Sequence, residues 1–347
     1  MAKYTTIGGQ ALIEGIMMKN PQKKTALAVR KPDKTIDISF IEEKSIKDKI
    51  KIFKLPILRG VVTYIETMIQ GYKAMMKSAE ISGFTDIDGE KPKTDENVET
   101  ETEVTEEIKK DEKTEPKKDS AFMAVVMTLA SLIGIGMAVV LFIVAPTYAV
   151  EGLAWLFGTS FSAIGKAALT QSIKIVILVL YMWGISFMKD IHRVFAYHGA
   201  EHKTIFCYEA GLDLTVENVR KQKRLHPRCG TSFLILMILI NIFVSTLLQM
   251  AYRPIYESAL LRSAVGLLML PLICGLGYEL LKICGKYDNL FTKIVSAPGM
   301  WLQKITTKEP EDDMIEIAIA ALKACDEIVD EVSDESNEEV NEQNDDI

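Results

Sequence analysis

The chain has 347 residues, enough for one large domain or two smaller ones, with a hydrophobic fraction of 48% and a formal net charge of −7. Two acidic stretches carry most of that charge, so it points to no particular partner. The five cysteines (Cys207, Cys229, Cys274, Cys284, Cys325) are scattered without a C-x-x-C, which argues against a disulfide framework, and Met1 to Gln10 lack the apolar core of a signal peptide.

Residues 1–83 read as a small α+β unit. Ala11 to Lys19 has the composition of a strand. Thr25 to Arg30 and Thr35 to Ile41 flank Lys31-Pro32-Asp33-Lys34, the pattern of a hairpin turn. After Pro56 a helix is predicted from Ile57 to about Ile81. Val61, Ile65, Met68, Ile69, Tyr72 and Met76 recur on it at three- and four-residue spacing. That stripe suits either a packed core or a helix lying in a membrane interface. Residues 84–120 are dominated by Asp, Glu, Lys and Thr, too polar to offset the entropy of ordering, so they are predicted to be a disordered linker. The acidic tail, 333–347, reads the same way.

Four apolar runs lie between linker and tail. The first, 121–145, is uncharged, precedes Pro146 and carries the small-residue series Ala130, Gly134, Ala138. The second is 169–188, the third 231–251, and the fourth 263–281, interrupted by Pro271 and carrying Glu279 near its end. Lys117 and Lys118 precede the first run. Lys189, Arg193, Lys203, Arg220, Lys221, Lys223, Arg224 and Arg228 follow the second, and Lys282, Lys286, Lys293, Lys304 and Lys308 follow the fourth. The other two connections hold only Lys166, and Arg253 with Arg262. The positive-inside rule then places both termini and the 189–230 loop in the cytoplasm. In 282–332, Trp301 between Lys293 and Lys304 suits an interfacial segment. Asp312 to Asp330 reads as a helix able to dock on the N-terminal unit.

All four histidines, His192, His198, His202 and His226, fall in the 189–230 loop. Imidazole is the commonest protein metal ligand. His198-Gly199-Ala200-Glu201-His202 is an H-x-x-E-H arrangement, the inverted zincin pattern. If the second run continues as one helix beyond Met188 to a cap at Gly211, His198 and His202 share a face. Glu201 sits about 60° to one side, within reach of a water at the site. His192 falls off that face. A third ligand is needed, with His226, Cys229, Asp213 and Glu209 as candidates. If His198, His202, His226 and Cys229 all bind, the centre is closed and structural. If three bind and Glu201 faces an open position, it is hydrolytic. Zinc is favoured by the His/Cys set, though nickel, cobalt and iron accept imidazole too. Glu201 could alternatively serve as a partner of Lys203 or another loop cation.

Arg220 to Arg228 is basic and close to a membrane boundary, suited to anionic lipid head groups. Interleaved aromatics are absent, so no nucleic acid is expected. Glu279 is either functional or snorkels to the interface. Glu14 follows Gly8-Gly9, whose spacing does not make a nucleotide loop and instead suits close approach of a strand.

Three stretches carry a family resemblance: residues 7–18 (Ile7-Gly8-Gly9-Gln10-Ala11-Leu12-Ile13-Glu14-Gly15-Ile16-Met17-Met18), 197–203 (Tyr197-His198-Gly199-Ala200-Glu201-His202-Lys203) and 226–233 (His226-Pro227-Arg228-Cys229-Gly230-Thr231-Ser232-Phe233). With 297–299, 301–303 and 316–322 they resemble the YqhQ-like family of bacterial membrane proteins, a domain of unknown function (DUF1385). The resemblance implies membrane location and metal dependence, and no particular reaction. The expected fold is therefore an α-helical integral membrane protein with about four transmembrane helices and a small cytoplasmic α+β N-terminal unit. The expected function is a metal-dependent hydrolase at the cytoplasmic face of the cell membrane. Its metal ligands would be His198, His202, His226 and Cys229, with Glu201 as general base, a divalent metal, zinc first, as cofactor, and membrane lipid as partner. The alternative is a non-enzymatic membrane scaffold or transport-associated protein with a structural metal.

Overall fold

The computed structural model describes residues 5, 7–20, 24–42, 51–84, 129, 132–134, 136–252, 259–287 and 289–326. The 84–120 linker beyond residue 84 and the 333–347 tail lie outside these residues.

The N-terminal part is a four-stranded antiparallel meander of β1 (Gly8–Leu12), β2 (Gly15–Lys19), β3 (Lys24–Arg30) and β4 (Ile36–Glu42), paired in chain order. The run read as one strand from Ala11 to Lys19 is broken by a two-residue turn, with Leu12 paired to Gly15. Glu14 occupies the left-handed region there, at φ 51°. Such a conformation is unusual for a residue with a side chain. Tertiary contacts hold it: Arg193 donates twice to the Glu14 carboxylate, at 2.5 and 2.6 Å, and the Tyr197 hydroxyl donates at 3.1 Å. The β3–β4 hairpin turns on Lys31 to Thr35, where Asp33 accepts from the Thr35 amide at 2.9 Å.

Alternation along the strands gives the sheet two apolar faces. Ile16, Met18, Ala26 and Ala28 face one side. There they pack on α4 (Lys189–Glu209) and on α9, the helix at 312–326, through Tyr197, Ala200, Ile315, Ile317 and Leu322. Burying each of the larger aliphatic side chains is worth about 1.5–3 kcal/mol. Leu12, Met17, Leu27 and Val29 face the other side, against Ala74 of α1 (Leu58–Ile81).

Helix α1 turns its small residues inward. Gly60, Gly71, Ala74, Ser78 and Ala79 are buried, while Ile65, Met68, Ile69 and Tyr72 are exposed. Of its apolar stripe, Val61 and Met76 are half-buried and the other four residues face outward.

Among the described residues, four helices are long and apolar enough to cross a membrane: 132–156, 168–185, 230–248 and 264–284. The first continues through Pro146 as α2 (Ala145–Leu156) rather than stopping at residue 145. A π-helical stretch, Val140–Val144, precedes the proline and accommodates the turn where its ring and missing N–H break the regular ladder. The second, α3 (Ala163–Ile185), does not run on to Tyr208 as one helix. It ends at Ser186, Met188 adopts an extended conformation (ψ 131°), and α4 starts afresh at Lys189 with Asp190 in its first turn. The break lies where the apolar run gives way to charge, and it frees α4 to lie on the sheet. Helix α4 closes with a Schellman motif: Gly211, at φ 68°, donates to Tyr208, and Leu212 donates to Cys207. After the short α5 (Val216–Arg220) come α6 (Gly230–Ala251), α7 (Ala259–Lys286) and α8 (Leu290–Thr306), the last opened by an Asn289–Thr292 capping box.

Candidate metal centre

One turn of α4 separates His198 from His202, and their rings meet edge-on with centroids 4.4 Å apart. The outer nitrogen of each ring is tied to backbone. His198 Nδ1 lies 2.9 Å from the Thr306 carbonyl at the end of α8, and His202 Nδ1 lies 2.5 Å from the Arg224 carbonyl. A carbonyl oxygen only accepts, so in the neutral rings both protons sit on Nδ1 and both Nε2 atoms keep a lone pair. Ligating imidazoles are commonly oriented in this way by a donor bond from their other nitrogen.

The third group comes from the next helix. Cys229 is the N-cap of α6, with Sγ accepting from the Thr231 amide at 3.5 Å and lying 3.2 Å from Thr231 Oγ1. The positive end of the α6 dipole therefore faces the sulfur, a setting suited to an anionic ligand. His198 Nε2 is 3.1 Å from Cys229 Sγ. One donor atom each from His198, His202 and Cys229 lies within 4.8 Å of the other two. Two imidazoles and a thiolate around tetrahedral zinc would place donor atoms about 3.3–3.7 Å apart. The donor types suit a divalent ion, and the trio would close from a spread of up to 4.8 Å to hold one.

His226 is beside this trio rather than in it. Its ring centroid is 5.5 Å from that of His202 and 4.7 Å from that of Phe206. Its nitrogens face the Arg228 amide at 3.3 Å and the Arg228 guanidinium at 3.4 Å, and a neutral imidazole can accept from only one of them. Burial, reinforced by His202, Arg228 and His198, pushes its pKa down to about 2, so the ring is neutral throughout the physiological range. Among the described residues Asp213 and Glu209 do not join the trio either. Glu209 accepts from Arg228 and from the Thr5 amide. His192 is exposed on the far side of α4.

Glu201 is 5% exposed. Burial pushes its carboxyl up to about 6, with the His198 charge and a hydrogen bond from the Gly9 amide pulling the other way. A Cβ at Gly9 would lie 2.8 Å from the Glu201 carboxyl atoms, so any larger residue there would displace that carboxyl from its place against β1. Lys203 is not its partner: that ammonium donates to Glu309 and, at 2.9 Å, to the Arg220 carbonyl.

Two supports of the site carry no chemistry that would flag them from residue type alone. Gln303 is fully buried. Its Nε2 donates to the His226 carbonyl at 2.8 Å and to Ser232 Oγ at 2.9 Å, while Oε1 accepts the His226 amide at 2.8 Å. One side chain thus clamps both ends of the turn that presents Cys229. At Gly299 a Cβ would come 2.6 Å from Ser232 Cα, so glycine permits the close crossing of α8 over α6. The local signal for both was their place in the motif at 297–303.

These features define a mostly helical chain with four helices of membrane-crossing length, a small antiparallel sheet, and a His-His-Cys cluster where α4, α6 and α8 meet. The chain belongs to the DUF1385 family. The family model, described as a protein of unknown function, matches residues 55–327. The chain is 32% identical to the uncharacterized protein YqhQ of Bacillus subtilis (strain 168) over 313 residues, covering 90% of this chain and 89% of that one. No solved structure matches it.

Proposed function

We propose that this protein is a metal-dependent hydrolase at the cytoplasmic face of the bacterial cell membrane, with a divalent ion, zinc first, held by His198, His202 and Cys229. The carrying observation is that Nδ1 of His198 and of His202 each faces a backbone carbonyl, which leaves both Nε2 lone pairs available, that of His198 3.1 Å from the Cys229 sulfur. Three protein ligands with a fourth position open is the arrangement of catalytic rather than structural zinc. A divalent ion there would supply Lewis-acid polarisation of an oxygen. The rest is the work of the chain itself. Thr306 and Arg224 carbonyls orient the imidazoles, Gln303 fixes the Cys229 turn, and the Gly9 amide holds one lone pair of the Glu201 carboxylate. Glu201, next to His202 in the chain with its carboxyl against Gly9, would be the proton acceptor of such a site, and a pKa near 6 suits that role. The lysine and arginine asymmetry around the four apolar helices supports the cytoplasmic placement, with anionic membrane lipid as neighbour.

A second reading, a structural metal in a non-enzymatic scaffold, is favoured by burial: His202 is 1% and Cys229 8% exposed, leaving only the partly exposed His198 as a way in. Cobalt substitution separates the two. The cobalt-loaded protein should show a thiolate charge-transfer band that Cys229→Ser removes. Added azide should shift the cobalt spectrum if the fourth position is open. A spectrum indifferent to azide, with the band lost in His226→Ala as well, would favour a closed four-ligand centre and end the hydrolase reading.

A further inference from the structure

We propose that residues 51–72 form a re-entrant element whose tip, Leu55-Pro56-Ile57, is immersed in the acyl-chain region of the membrane beside α7. This does not depend on the metal centre. A 3-10 turn (Lys51–Lys54) leads into the tip, the chain reverses at Ile57 with φ 71°, and α1 leads out.

The first observation is depth. The tip packs on Gly275, where a Cβ would lie 2.6 Å from the Ile57 carbonyl oxygen, and one at Gly60 would lie 3.0 Å from Gly275 Cα. Gly275 is not at an end of the apolar window 264–284. At a rise of 1.5 Å per residue it lies about 10 Å along α7 from Lys282, the exposed charge at that end of the window. The hydrocarbon core is about 30 Å thick, so a chain segment seated at this level lies below the head groups.

The second observation is that the turn satisfies its own polar groups. Non-helical backbone is tolerated at membrane depth only where protein partners replace water. The Leu55 amide donates to Ile52 at 3.2 Å, Pro56 has no N–H, Leu58 donates to the Pro56 carbonyl at 2.9 Å, and Arg59 donates to the Leu55 carbonyl at 2.9 Å. The Ile57 amide donates to the Glu279 carboxylate, and the Ile57 carbonyl accepts from Val61 at 3.1 Å.

The third is charge. Glu279 lies about 5 Å inward of Lys282 by the same count. Arg59 meets it with two parallel bonds of 2.7 and 2.6 Å. Ionisable groups at such depth persist by pairing with one another, and the fork-to-carboxylate geometry is the strongest available pairing.

The fourth is what remains uncovered. Ile52, Leu55, Ile65, Met68 and Ile69 are each 49–55% exposed. The helix that this element packs on is itself an apolar span only 24% buried within the protein. Acyl chains that cover the open side of α7 continue onto this surface.

Spin labels test it in phosphatidylcholine/phosphatidylglycerol nanodiscs. Leu55→Cys, Ile65→Cys and, as a water-exposed reference, Lys34→Cys would each be labelled with a nitroxide. The native thiols are all buried, and wild type carried through the same labelling reaction sets the background. At position 55, access to oxygen relative to a water-soluble nickel chelate should exceed that at Lys34 several-fold, with a smaller excess at 65. Chelate access at 55 equal to that at Lys34 would overturn the proposal. So would shielding from both reagents, which would mean that protein or a second copy covers the tip. Ile52→Cys gives the same readout should Leu55→Cys fail to fold.

Discussion

Gln303→Leu removes three hydrogen bonds at nearly constant side-chain volume. The His226 amide, the His226 carbonyl and Ser232 Oγ lose their partner together, and all three bonds lie in the interior. A buried backbone group left unsatisfied costs about 1–3 kcal/mol, and the serine hydroxyl can rotate to another acceptor, so the two backbone groups dominate. The expected loss is about 3–5 kcal/mol, a fall in Tm of about 4–7 °C for a chain of this size. The turn that presents Cys229 hangs on this clamp, so metal content should fall with stability. Differential scanning fluorimetry in detergent and metal analysis on the same samples read both. A Gln303→Leu protein with wild-type Tm and wild-type metal content would refute the clamp and the claim that it positions Cys229.

Gly9→Ala places a methyl against the Glu201 carboxyl and should cost about 1–3 kcal/mol by chemical denaturation, whereas Gly8→Ala, which meets nothing within 4 Å, should cost far less. Burial alone would raise the Glu14 carboxyl, but its hydrogen bonds and charge pairing with Arg193 hold it below the usual carboxylate range. A carboxyl lowered by folding contributes stability that is full above its unfolded pKa of about 4.5 and lost as pH falls through the folded value. Glu14→Gln should therefore lower Tm at pH 7 and flatten its decline below pH 4.5; a parallel shift at every pH would contradict this. A reporter fused after Gly211 should be cytoplasmic and one between Gly158 and Gly165 external, and an external Gly211 reporter would reverse the orientation.

The parts of the molecule set by local pattern were legible in the sequence. The i, i+4 spacing of His198 and His202, the β3–β4 turn chemistry, the apolar runs and the helical pattern of α9 each follow from residues close in the chain. The rest depends on contacts far apart in it. Nothing around Ile13-Glu14 resembles a favoured hairpin turn, and the left-handed Glu14 is held by Arg193, 179 residues away. The stripe on α1 suited a packed face or a membrane interface equally, because close helix–helix and helix–sheet approach selects small residues instead, and Gly60, Gly71 and Ala74 turn inward. His226 shares a loop with the trio, but the Gln303 clamp on its backbone and Arg228 beside its ring keep it out of the converging set. Glu279 was open to two readings because its partner Arg59 lies 220 residues away.

Metal analysis of the protein purified without added metal tests the central claim most directly. Wild type and His226→Ala should carry close to one equivalent of divalent metal, and Glu201→Gln should retain it. His198→Ala and His202→Ala should carry none, and Cys229→Ser markedly less. Equal metal content across wild type, His198→Ala, His202→Ala and Cys229→Ser would contradict the assignment and leave the cluster as packing.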